Sequence, residues 1–166
     1  MRWLIDGYNV IRRDPDLRAR EAESLEAGRT ALLALVGRIA REMTDTFTVV
    51  FDGARRTGGA PAGGQVQVVF SRPPASADDE LRRLVTTLRE GAIVVSSDRA
   101  VQDAARRSGA TAVSAEAFLE AVDASSHPDA DDEADEDRDE PRRGPSHRRS
   151  RAERAAERAL RRLRNR

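Results

Sequence analysis

The chain has 166 residues, a formal net charge of zero, no cysteine, and 29 basic side chains that are all arginine. That length suits one domain with an appendage, and the lack of cysteine excludes disulfides and thiolate metal sites. No apolar run approaches the ~20 residues of a membrane helix, and the first strand begins too early to leave room for a signal peptide, so a cytoplasmic protein is expected. The neutral total hides two opposed blocks: nine acids between Asp129 and Glu140, and eleven arginines between Arg142 and Arg166.

In chain order, Trp3-Leu4-Ile5 reads as a strand buried on both faces, with Asp6 where it leaves the sheet and Gly7-Tyr8-Asn9 as the turn beyond. Arg12–Asp16 reads as a polar turn around Pro15. Leu25, Leu32, Leu33, Leu35, Val36 and Ile39 recur at helical spacing and predict a helix over Glu23–Met43. Phe47–Phe51 is a second buried strand, closed by Asp52-Gly53. A glycine-rich loop over Thr57–Gly64 leads to Gln65–Phe70, whose alternation suits an edge or half-buried strand.

After Pro73-Pro74, Ser76 is a good N-cap for a helix to about Arg89, with Asp78, Asp79 and Glu80 in its first turn. Ala92–Val95 is a third apolar strand, ending in Ser96-Ser97-Asp98. A helix to about Ser108, a short strand Thr111–Val113 and a helix Ala115–Val122 complete the domain. The order β-α-β-β-α-β-α-β-α indicates a mostly parallel sheet flanked by helices.

Residues 1–124 are therefore expected to form the folded domain. Residues 125–149 have almost no apolar side chains and read as a disordered linker running from acidic to basic. Residues 150–166 form an arginine-rich tail with helical propensity, in which only Leu160 and Leu163 are available to bury.

Three apolar strands thus end in aspartate: Asp6, Asp52 and Asp98. In a parallel sheet these ends share one edge, and helix N-termini face it too, bringing Asp78 and Asp79 near. Such a cluster repels itself unless a divalent cation neutralises it, and hard oxygen donors suit Mg²⁺ or Mn²⁺. Each acid also has a plainer explanation. Asp-Gly is a common turn pair, Asp78 and Asp79 complement a helix dipole, and Ser97 or Asp98 can cap the following helix. There is no G-x-G-x-x-G and no Walker loop.

Asp6-Gly7-Tyr8-Asn9, Val49-Val50-Phe51-Asp52-Gly53, Ser76-Ala77-Asp78-Asp79 and Ser96-Ser97-Asp98, in that order, resemble the NYN domain of the PIN-like nuclease superfamily. The likeness is to its YacP-like branch, which includes a bacterial ribosome-associated endoribonuclease that cleaves mRNA. It covers roughly residues 1–123, with the C-terminal segment departing from the family pattern. The resemblance implies a Rossmann-like PIN fold and a metal-dependent ribonuclease using Mg²⁺ or Mn²⁺. By position it makes Asp6, Asp78 and Asp98 the catalytic metal ligands, with Asp52 and Asp79 as further candidates and Asn9 and Ser97 in support.

The expected partners are RNA and, through this resemblance, the ribosome. Tyr8 is placed to stack on a base, or to pack against the first helix. Arg55, Arg56 and Arg72 flank the edge, and the tail arginines Arg142, Arg143, Arg148, Arg149 and Arg151 offer bidentate phosphate contacts. His127 and His147 lie in the tail, away from any catalytic position. The competing readings are a non-catalytic RNA-binding module on the same fold, and a phosphatase-like or 5′-nuclease activity on the same edge.

Overall fold

A computed structural model describes residues 1–53, 64–126 and 150–166. Its five strands are β1 (Arg2–Asp6), β2 (Thr46–Phe51), β3 (Val66–Phe70), β4 (Ala92–Val95) and β5 (Thr111–Val113). They form one sheet in the order β3-β2-β1-β4-β5, and every pairing is parallel. The sheet is thus wholly parallel among the described residues, where the sequence predicts mostly parallel.

Parallel strands need crossovers, and these place helices on both faces. Alternation along the strands divides the core accordingly. Trp3, Ile5, Phe47, Val49, Phe51, Ile93 and Val95 pack with Leu32, Val36, Ile39, Phe118 and Leu163 on one face. Leu4, Val50 and Val94 pack with Leu81, Val85, Val101 and Ala105 on the other. The first face carries α1 (Gly7–Ile11), α2 (Pro15–Glu23), α3 (Leu25–Glu42), α6 (Ala115–Ser126) and α7 (Arg151–Arg164). The second carries α4 (Ala77–Leu88) and α5 (Arg99–Arg107).

The largest local departures from the sequence reading lie between β1 and β2. Gly7-Tyr8-Asn9 is no open turn but the start of α1, with Asp6 as its N-cap. The polar stretch around Pro15 opens α2: Asp14 caps it through the Leu17 amide at 2.8 Å, and Pro15 takes a first-turn position that needs no N–H. The single helix predicted over Glu23–Met43 is divided at Ser24, which caps α3 through the Ala27 amide. Of these helices α2 escapes the apolar pattern, because it buries only Leu17.

Residues 150–166 are helical over α7 and packed against the domain. Ala159 and Leu163 are buried, and Leu160 is partly buried against the same core. Ser150 and Glu153 form a capping box at its start. Near its end, Arg162 reaches the buried Asp45 carboxylate at 3.0 Å, and Arg166 pairs with Glu42 at 2.6 Å. The glycine-rich loop and the linker expected to be disordered fall largely outside the described residues.

Candidate active site at the carboxylate edge

β1 is the strand from which the chain winds outward in both directions, to β2 and β3 on one side and β4 and β5 on the other. Ligands of open α/β sheets bind at such a switch point, beyond the carboxyl ends of the strands. Asp6 ends β1 there, and Ser96 follows β4. The Ser96 hydroxyl donates to Asp6 Oδ2 at 2.9 Å, bridging the crevice, while Asp6 Oδ1 accepts from the Asn9 amide at 3.2 Å. Both side chains are buried.

Gly7 is required by the same close packing. A Cβ at this position would lie 2.2 Å from Phe51 Cε1. The ring is fully buried, so it has no open space into which to retreat. Gly7→Ala is therefore expected to cost about 1–3 kcal/mol in urea unfolding, as overpacked sites do. An unchanged unfolding midpoint would show that the β2 end yields freely.

The other acids reach this edge from different elements. Asp52 follows β2 and accepts through Oδ1 from the Ser71 hydroxyl at 3.0 Å and the Ala77 amide at 2.6 Å, which fastens the start of α4 to the sheet. Asp78 follows in the first turn of α4, about half-exposed, with Arg82 4.0 Å away. Asp98 caps α5 through the Val101 amide at 2.9 Å, and its own amide donates to Ser96 Oγ at 3.1 Å. Asp79 is occupied differently. One of its oxygens completes the capping box with Ser76 and the other meets Arg82 at 3.2 Å, so this acid serves the helix start.

The electrostatics follow from burial and like charge. Asp6 is pushed up to about 6, chiefly by desolvation and further by the charges of Asp78 and Asp52, against the hydrogen bonds from Ser96 and Asn9. Asp78 is also raised, by burial first and then by Asp98, with smaller contributions from Asp52 and Asp79 opposed by Arg82. Asp79 is lowered by its bonds to Ser76.

Asp6 therefore feels the charges of Asp78 and Asp52, and Asp78 those of Asp98 and Asp52, although the four acids are spread over the chain. Their donor chemistry fits a hard divalent cation, whose charge would relieve the repulsion that raises Asp6 and Asp78. Among the described residues no group of three or more His, Cys, Asp or Glu forms a ready-made metal cage.

The supporting residues divide in an unexpected way. Asn9 Oδ1 accepts from the Ser97 amide at 2.8 Å, tying α1 to the β4 end. The Ser97 hydroxyl donates to Glu116 and accepts from the Ala115 amide, so it joins β4 to α6 and does not cap α5. Glu116 is held below its ordinary range mainly by that bond and also pairs with Arg13 at 2.6 Å. Of the two serines in Ser96-Ser97-Asp98, Ser96 is the one that touches Asp6. Ser96 is fully buried directly after β4, which only the structure shows.

Tyr8 stands beside the edge with its ring edge-on to Phe51 at 5.3 Å. Arg72 is exposed just after β3, and Arg151 is exposed at the start of α7. Arg55, Arg56, Arg142, Arg143, Arg148 and Arg149 lie outside the described residues, as do His127 and His147.

Comparison with known proteins gives the fold a context. The family model of the YacP-like NYN domain matches residues 3–165, which includes α7 and corrects the narrower extent of about 1–123 drawn from the motifs. Crystal structures of Rae1 (YacP) from Bacillus subtilis, one of them a tryptophan-to-leucine mutant, are similar at 28% identity over 72% of each chain, with TM-scores of 0.63 and 0.62. No curated protein sequence matches the chain. The fold is the PIN-like, nuclease-type fold of NYN domains.

Proposed function

The chain belongs to the YacP-like NYN domain family, and from that premise we propose that it is a divalent-metal-dependent endoribonuclease acting on single-stranded RNA, with mRNA at the ribosome as its substrate. The observation that carries this reading is the buried Asp6 at the switch point, raised by its own burial and by neighbouring carboxylates. A fold that needed only a turn there would have no reason to bury a charge among like charges.

In this reading one or two of Asp6, Asp78 and Asp98 would hold Mg²⁺ or Mn²⁺ directly, with the others and Asp52 beside the ion and water completing its shell. When bound, the ion would supply an activated water and neutralise charge developing on the phosphodiester. Ser96 and Asn9 fix Asp6, each through one oxygen, so that its orientation is set before substrate arrives. Asp52 anchors the first turn of α4 and thereby sets the position of Asp78. Asp98 does the same for the start of α5. No side chain at this edge need serve as nucleophile, and attack by water is the chemistry these acids favour.

The test is cleavage of labelled single-stranded RNA by the purified protein with Mn²⁺ or Mg²⁺, repeated with EDTA and with Asp78→Asn. Cleavage that requires the metal and falls at least ~100-fold in the variant is expected. Salt-sensitive binding without cleavage, on free RNA and on translating ribosomes alike, would instead identify a binding module.

A further inference from the structure

We propose that Arg29 is a phosphate-positioning residue, its guanidinium and the Tyr8 hydroxyl together holding a backbone phosphate next to the bond to be cut. This rests on the ribonuclease reading of the neighbouring carboxylate edge.

Arg29 projects from α3 onto a shelf of three aromatic rings. Its guanidinium carbon lies 5.2 Å from the centroid of Phe70, 5.4 Å from Tyr8 and 5.6 Å from Phe51. Nε–H donates to the Tyr8 hydroxyl at 2.8 Å, and Nη2 points toward the Asp52 carbonyl at 3.4 Å. The fork is therefore fixed at the end of β2, against the residue that opens the acidic edge.

Its charge is left unneutralised. Arg82 pairs with Asp78 and Asp79, and Arg13 with Glu116, yet among the described residues Arg29 makes no ion pair. Rings attract a guanidinium without cancelling its charge, and they restrict its motion. The contact to the Asp52 carbonyl is long for a hydrogen bond, so the Nη hydrogens remain available to a stronger acceptor. Tyr8 accepts from Nε and keeps its own hydroxyl proton to donate. A phosphodiester matches this set, because a planar fork binds two of its oxygens at once.

The arrangement also revises the role of Tyr8. Arg29 and Arg12 both lie over its ring, at 5.4 and 5.7 Å, and Phe51 meets it edge-on. Tyr8 thus offers its hydroxyl to the strand, and its ring is already engaged by protein.

The experiment measures binding of a short labelled single-stranded oligoribonucleotide in EDTA over a range of salt, alongside kcat and KM with Mn²⁺. Arg29→Met is expected to weaken binding at low salt at least ~5-fold and to reduce the salt slope by about 0.7, the value for one phosphate contact on a single strand. KM should rise with kcat nearly unchanged, since this phosphate is held alike before and during the reaction. Arg29→Lys keeps the charge and is expected to restore the slope. Should Arg29→Met fail to fold, Arg29→Gln takes its place with the same expectations. Unchanged affinity, or lost affinity with an unchanged slope, overturns the proposal. If the wild type fails to cleave but the slope responds as stated, the nuclease reading fails while the phosphate contact stands.

Discussion

Asp6→Asn is expected to make the metal-free protein more stable while removing its cleavage activity. Asparagine keeps the shape of the side chain and can still accept from the Asn9 amide and bond to Ser96. It removes the charge that burial and the neighbouring acids disfavour. A carboxyl raised from 3.8 to about 6 in the folded protein costs up to about 3 kcal/mol once ionised.

The sign follows from proton binding. Between about pH 4 and pH 6 the folded state holds the Asp6 proton more tightly than the unfolded chain does. Its contribution to stability is therefore greatest at low pH and is lost as pH rises through the folded value. Urea unfolding of the two proteins should converge near pH 4 and separate by about 1–3 kcal/mol in favour of Asp6→Asn at about pH 8. Mn²⁺ should then raise the unfolding midpoint of the wild type and leave that of the variant nearly unmoved. Activity should fall at least ~100-fold. A variant that is less stable than the wild type at neutral pH would refute the account of a strained, buried charge.

The second large effect lies at the opposite end of the sheet. Asp45, just before β2, is 1% exposed and accepts from the Trp3 indole at 3.1 Å, from Arg162 at 3.0 Å and from the Met1 amino group at 2.5 Å. Burial alone would raise its pKa. The bonds from the amino group and Trp3, with the charge of Arg162, outweigh that and hold it below the ordinary range. Its stabilisation is therefore present above the usual aspartate range and is lost as pH falls through the depressed folded value.

Asp45→Ala leaves the fully buried Trp3 indole without its acceptor and Arg162 without its carboxylate. A loss of about 1–3 kcal/mol is expected, the penalty of a buried donor left unsatisfied, since Arg162 and the Met1 amino group are themselves half-exposed and can turn to water. Asp45→Asn keeps an acceptor and should cost less. Amide exchange should quicken along α7 before it does in β1 or β2, because the Arg162–Asp45 pair helps fasten that helix to the domain. Uniform exchange across the domain would show that α7 does not depend on the Arg162–Asp45 pair.

The contrast between Asp6 and Asp45 shows which contacts leave a mark in the local sequence. Both are buried aspartates beside β strands, but only Asp6 ends an apolar run and precedes a Gly-Tyr-Asn. Asp45 carries no local mark, since its partners stand 42 and 117 residues away. Arg29 was equally silent among so many arginines, its tyrosine partner lying 21 residues off. Ser96 stood within a recognised motif, yet choosing it over Ser97 requires knowing which serine faces β1, a bond made across 90 residues.

The sequence by itself determined the strands, their acids and the cap of α4, because runs of apolar side chains and capping residues act within a few positions. Ala92–Val95 and Thr111–Val113 coincide with β4 and β5, and Ser76 caps α4. The motifs were equally sufficient for the YacP-like family. Tertiary structure decided the rest. It folded the polar stretch after Ile11 into α2, seated a tail with few apolar residues as α7, and turned Asp79 to its own helix start while leaving Asp6 buried among like charges. Those outcomes depend on which distant surfaces meet, and periodicity along a chain does not record the partner on the far side of a contact.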